Sequence, residues 1–340
     1  MSAGTLSSAP RHRAVFAAVL ASAFSVLVGC KDAVEQELPS RSSRFGILDE
    51  FVVFDAPAAF GGAFFVDRFE TTVADWREYL SETGTSPESF LDWNEGVDAT
   101  EPVRGTSLKE ARAYARWRFG HLPTLSSWRA VAGGGAGYRF PWGEVEENGF
   151  AATAELGRVR PLPVGTFASG AVGGVFDLIG NAGEWTESVE SESRLFSDHV
   201  LDPERRRRLA TAMCRGFWPL PRAILTFVDP DDVKRAVVPG LERRLRDSGV
   251  AARPSWKWPD ERSDRIGVRV FSSPLVLLSQ FDAHEEPLTE MERRAIERFC
   301  ARPDVAPVLR RTVRDRPALL SSDFELASLL RELLGPGVIE

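Results

Sequence analysis

Cysteine and histidine carry most of the capacity for metal or redox chemistry in this 340-residue chain, which holds three of the first and four of the second. Cys30, Cys214 and Cys300 lie far apart, and a closed structural zinc site takes four ligands, so the thiols alone make neither a zinc centre nor a disulfide framework. His12, His121, His199 and His284 are scattered as well, with no two at helical spacing, whereas a histidine-bound iron site needs a cluster. A formal net charge of −7 leaves no basic surplus for neutralising phosphates, which excludes a dedicated nucleic-acid binder. Two arginine runs stand out locally: Arg205 to Arg208, and Arg235, Arg243, Arg244 and Arg246 with Leu241 and Leu245 between them. Either could meet acidic ligands or lipid headgroups; a solvated face paired with nearby carboxylates is the simpler account.

Cys30 has the most specific surroundings. Arg11, His12 and Arg13 precede an apolar run from Ala14 to Val28, too short to span a bilayer comfortably, which ends Leu27-Val28-Gly29-Cys30. That ending is similar to the lipobox of bacterial lipoproteins, in which small residues admit a peptidase and the thiol takes the lipid. The expectation is a signal peptide over 1–29, lipidation at Cys30, and a polar tether over 30–48; an ordinary secretory signal is the alternative. Lys31 is compatible with the outer membrane, so the expected location is the bacterial cell envelope, at the outer membrane or the periplasmic face.

The body, 49–274, is rich in Gly, Trp and Phe with many turn signals, which implies an irregular α+β domain. Three short helices are expected: after Thr71-Thr72 with Val73, Trp76 and Leu80 inward; from a capping box at Ser107-Leu108-Lys109-Glu110 to a stop at Gly120; and after Pro123-Thr124 with Trp128 and Val131 inward. From 275 to 340 the composition turns helical. Thr289-Glu290-Met291-Glu292 and Ser322-Asp323-Phe324-Glu325 read as capping boxes opening two helices of a small C-terminal appendage. Its apolar residues, Ile296, Phe299, Leu309 and Leu330 among them, can pack on the main domain or on a partner.

Nine blocks then occur in order over the body. They include Phe64-Phe65-Val66-Asp67-Arg68-Phe69-Glu70-Thr71-Thr72, Pro102-Val103-Arg104-Gly105-Thr106-Ser107, Ala111-Arg112-Ala113-Tyr114-Ala115-Arg116-Trp117 and His121-Leu122-Pro123-Thr124 with Trp128. Tyr138-Arg139-Phe140-Pro141-Trp142-Gly143 with Asn148, Pro163-Val164-Gly165-Thr166-Phe167 and Gly180-Asn181-Ala182-Gly183-Glu184-Trp185-Thr186 follow, then Cys214-Arg215-Gly216-Phe217-Trp218 and Ile266-Gly267-Val268-Arg269-Val270. In order and spacing this series resembles the formylglycine-generating enzyme (sulfatase-modifying factor) family. The resemblance implies a C-type-lectin-like α+β fold with little regular secondary structure, covering neither tether nor tail.

It also implies a calcium site. Asn148, Asn181 and Glu184 match family positions that help bind calcium, an ion that takes oxygen ligands; alternatively, Asn181 caps a turn and Glu184 pairs with an arginine. The family's oxidation of a substrate cysteine uses copper held by two thiolates just after the Arg-Gly block. Here Arg215 to Ala223 contains no cysteine, and Phe217 and Trp218 replace small residues, so copper is not expected. Arg215 and Trp218 are candidates near the former groove. The reading that follows is an envelope-anchored binding or structural module for a protein or glycan partner; the alternative is an oxidoreductase acting on protein cysteine with an atypical metal site involving Cys214. In an oxidising envelope Cys214 and Cys300 could pair, a bridge worth about 4 kcal/mol in the chain-entropy view.

Overall fold

The structure is a computed structural model that describes residues 44–56, 62–86, 96–133, 140–143, 149–152, 161–187 and 262–335, and, as backbone, 210–213 and 254–257. Its elements in chain order are β1 (Phe51–Phe54), β2 (Phe64–Asp67), α1 (Val73–Thr83), α2 (Leu108–Trp117), α3 (Leu125–Ala132), β3 (Gly183–Trp185), β4 (Ala210–Met213), β5 (Pro254–Lys257), β6 (Ile266–Gly267) and β7 (Phe271–Ser272). Four helices complete it: α4 (Pro274–Asp282), α5 (Glu290–Ala301), α6 (Ala306–Asp315) and α7 (Glu325–Leu334). Helix and sheet are mixed, and much of the body, among the described residues, is loop.

The helix starts follow from their caps. Thr72 accepts from the Asp75 amide while Asp75 reaches back to the Thr72 amide, and Ser107 with Glu110 repeats the exchange. Thr124 caps α3 through the Ser127 amide. Beyond α2 the chain turns at Gly120, where an added Cβ would lie 2.3 Å from the Phe271 carbonyl oxygen, so only glycine lets this turn lie against β7.

Two small sheets carry the body. One has the order β1-β2-β7, antiparallel throughout; the other has the order β5-β4-β3-β6, with β3 parallel to β6. β2 is buried along its whole length because both faces of its sheet are covered. Alternation sends Phe64 and Val66 to one side, where they pack with Trp128, Val131, Val175, Leu178 and Ile179. Phe65 points the other way, into a larger core that runs on through the C-terminal helices, with its ring 5.7 Å from that of Phe299.

The tail is therefore the second layer over the sheet. Phe119 lies 4.9 Å from both Phe45 and Phe281, and Arg302 of the α5–α6 turn donates to the Asp49 carbonyl at 3.2 Å. The box at Thr289 and Glu292 forms as expected. The one expected at Ser322 does not: α7 starts at Glu325 with Phe324 at its N-cap and no side-chain cap. Ser322 is spent on Asp282 of α4, through its amide at 2.9 Å and its hydroxyl at 2.7 Å, and Glu325 accepts from Leu288 and pairs with Arg293 of α5. Tertiary anchoring has taken both groups that a local cap would use.

Candidate functional site: a buried ionic centre beside a cleft

β3 sits at the centre of the second sheet and turns its two principal side chains to opposite faces. Glu184 points to a guanidinium and Trp185 to a loop. Glu184 accepts from Arg269 Nε at 2.8 Å and from the Trp128 indole N–H at 2.5 Å, so each carboxylate oxygen has a donor. Arg269, fully buried two residues past β6, uses its remaining nitrogens on backbone. Nη1 donates to the Asp67 and Arg68 carbonyls, and Nη2 to Phe176. One side chain thus joins β2, β3 and the 161–182 loops.

Two further carboxyls lie in the same interior. Glu70 accepts from the Asn181 amide nitrogen at 2.6 Å and from the Ala182 backbone at 2.8 Å. Asp177 accepts from the Gly165 backbone at 2.6 Å. Burial, then the charge of Asp177, holds the Glu70 carboxyl well above the usual carboxylate range. Burial likewise pushes Asp177 up to about 6, against the opposing pull of the Gly165 N–H and Arg269. Arg269 stays charged: burial disfavours its cation, but Glu184, Glu70 and Asp177 more than offset that. Three buried carboxyls thus surround one arginine. Asn181 and Asp177 adopt left-handed backbone with φ of 58° and 55°, a region that Asn and Asp enter more readily than other non-glycine residues.

The other side of β3 leads to a cleft. The Trp185 indole donates to the Thr106 carbonyl at 2.9 Å, and Thr106 lines the cleft with Trp76, Tyr79, Arg104, Glu110 and Arg262. Arg262 forks onto both oxygens of Glu110, at 2.5 and 2.7 Å, while the Ser107 amide and hydroxyl donate to the same carboxylate. Burial raises the Glu110 carboxyl, but Arg262 and Ser107 outweigh it and leave the group below its ordinary range. The apolar wall continues into an aromatic cluster in which Trp76 stacks on Tyr114 at 5.1 Å.

Asn181 and Glu184 are brought within one turn of chain, but neither presents a free oxygen to a cation. Arg269 and Trp128 occupy Glu184, and the Asn181 amide bonds to Glu70 and to both backbone groups of Leu162. The described groups form a turn asparagine and an arginine-paired glutamate, the alternative to cation ligands for these two residues. Cys30, Asn148, Cys214, Arg215 and Trp218 lie outside the described residues. Cys300 is a free thiol within the α5 side of the core, which burial pushes up to about 12. Trp185 is wholly buried, while Trp142 is half-buried and stacked on Phe140. His121 binds the neighbouring Leu122 carbonyl. Sequence reasoning missed the roles of Glu70, Asp177, Arg269 and Trp128. Arg269 and Glu70 fell within recognised blocks, yet a block marks position, not which charges meet inside.

A family model described as sulfatase-modifying factor enzyme 1-like domain matches residues 56–273. The chain is 32% identical over 161 residues to hercynine oxygenase of Mycolicibacterium smegmatis, covering 37% of each protein. It is 28% identical over 193 residues to formylglycine-generating enzyme of Mycobacterium tuberculosis, covering 52% of this chain and 59% of that one. It is 37% identical over 98 residues to inactive C-alpha-formylglycine-generating enzyme 2 of Bos taurus, covering 26% and 33%. The chain therefore spans from 33% to 59% of the length of these relatives. Among solved structures, PvdO from Pseudomonas aeruginosa aligns over 65% of this chain and 90% of its own, with 19% identity and a TM-score of 0.41.

Proposed function

Since the chain belongs to the sulfatase-modifying factor enzyme 1-like family, and that family's members here include proteins named as enzymes and proteins named as inactive, we propose that this member is a binding or structural module anchored in the bacterial envelope through Cys30. The observation that carries the reading is the run Arg215-Gly216-Phe217-Trp218-Pro219-Leu220-Pro221-Arg222-Ala223, which has no cysteine where a two-thiolate copper site would need its ligands. Cys214 alone supplies one thiolate, and the described thiol, Cys300, is buried with its proton held tightly.

The ionic centre supports the same reading. Glu184 and Arg269 spend their polar atoms on each other, on Trp128 and on backbone, and Asn181 spends its own on Glu70 and Leu162, so they hold loops in place rather than present reactive groups. The chain's own residues thus supply a rigid platform on whose surface a protein or glycan partner is recognised. The test is to incubate the full-length protein, supplied with Cu(I) and oxygen, with a cysteine-containing sulfatase peptide and follow the peptide by mass. An unchanged peptide is expected; conversion of its cysteine to an aldehyde would establish the oxidoreductase reading instead. Cross-linking in membranes followed by co-purification then identifies the partner.

A further inference from the structure

The described chain begins at a contact that joins it to the far end of the fold. Arg44 donates from Nη2 to Nδ1 of His284 at 3.1 Å, across 240 positions of sequence. His284 lies just past the carboxyl end of α4, with its amide on the Phe281 carbonyl, and is 9% exposed. The arginine also spreads over the Phe119 ring, 4.3 Å from its centroid, while the imidazole stands edge-on to Phe45 at 5.3 Å. Guanidinium, imidazole and two phenyl rings form a single joint between the N-terminal segment, the α2 exit and α4.

We propose that Arg44 and His284 form an acid-sensitive clasp, closed while His284 is neutral and opened by its protonation, which loosens the seat of the turn from Arg44 to Leu48 against the end of α4. A guanidinium has no acceptor, so the contact requires a lone pair on Nδ1 and fixes the neutral tautomer with its proton on Nε2. Adding a proton at Nδ1 turns the acceptor into a donor and places two cations 3.1 Å apart. No bond other than N–H forms, and solvent supplies the proton.

The groups facing the imidazole act in both directions. Burial first, then Arg44, lowers the His284 pKa; Glu286 and Glu292 oppose them. The carboxyl end of α4 also favours a cation there. On the arginine side burial lowers the pKa, and Glu82, Glu286 and Glu292 raise it. The net direction for His284 is down, which is what a clasp closed at neutral pH requires. Phe45, Ile47 and Leu48 are buried in the main core, so opening starts at Arg44 and loosens the turn in which the Leu48 amide donates to the Phe45 carbonyl at 3.1 Å, without unpacking the core behind it. The joint yields while the fold stays closed.

The experiment uses the full-length protein in detergent. The His284 ring is titrated by NMR, and exchange of the Phe45 to Leu48 amides, corrected for intrinsic rates, is compared at about pH 7.5 and about pH 5. Expected are titration below the ordinary 6.5, an upward move of that titration in Arg44→Met, and several-fold loss of amide protection on acidification. In His284→Gln, whose amide oxygen still accepts from Arg44 but does not titrate, protection stays level. Titration at or above 6.5, no upward move in Arg44→Met, or the same acid response in His284→Gln would each overturn the clasp.

Discussion

Arg269 Nε stands 2.8 Å from Glu184 Oε1, with the two side chains 0% and 2% exposed, and the rest of the guanidinium is committed to three carbonyls from two loops and a strand. This pair fixes β3 against β2, and through Trp185 it fixes the Thr106 side of the cleft.

Removing the cation leaves an uncompensated buried carboxylate and three unanswered carbonyls. Arg269→Met is expected to lower unfolding stability by about 3–5 kcal/mol, the usual result of breaking one partner of a buried pair. Arg269→Lys should recover little, because a single ammonium cannot reach the same acceptors. Urea midpoints check both; midpoints equal to wild type would mean that the pair does not organise the domain.

Asp177 gives the pH dependence a definite sign. Its folded pKa of about 6 is raised above the ordinary 3.8, so the folded state holds the proton more tightly than the unfolded chain does. Its contribution to stability is therefore fully present below about pH 4 and is lost as pH rises through about 6. Asp177→Asn keeps an oxygen for the Gly165 N–H and removes the charge, and should stabilise the protein at neutral pH by about 1–3 kcal/mol. Thermal midpoints for both proteins from about pH 5 to about pH 8 decide the matter; a lower midpoint for the variant at neutral pH would contradict it.

The helical tail forms one wall of the core. Phe299→Ala should cost about 3–5 kcal/mol, because the ring packs on Phe65 and leaves a cavity in a shared interior. Deleting 275–340 would bare Phe65, Phe119 and Phe45 and is expected to give insoluble protein. A soluble, cooperatively unfolding truncation would show that the body stands alone.

Much of this arrangement was legible in the sequence. The caps at Thr72, Ser107, Thr124 and Thr289 are local chemistry, and a capping residue announces itself three positions ahead of its partner. The ordered blocks, most of them punctuated by glycine, proline or tryptophan, revealed the family because a loop-built domain needs those residues at fixed turns. What stayed hidden was long-range. Ser322 and Glu325 have the pattern of a cap and serve α4 and α5 instead, a choice made by neighbours distant in sequence. Glu70 and Asp177 look like surface carboxylates until the fold places them inside, and Asn181 and Glu184 look like cation ligands until Glu70 and Arg269 occupy them.

The lipid anchor proposed at Cys30 has its own test. Cys30→Ala should leave an uncleaved precursor without acyl chains, seen as a heavier band and as loss of metabolic labelling by a fatty-acid analogue. Release of unchanged, correctly cleaved protein would instead indicate an ordinary secretory signal.

The central claim, that this chain keeps the family's fold without its two-thiolate copper chemistry, is tested most directly by titrating the full-length protein with Cu(I) against a competing chelator, alongside Cys214→Ala. The account predicts no tight stoichiometric site and superimposable curves for the two proteins. A one-to-one Cu(I) site in the wild type that disappears in Cys214→Ala would contradict it.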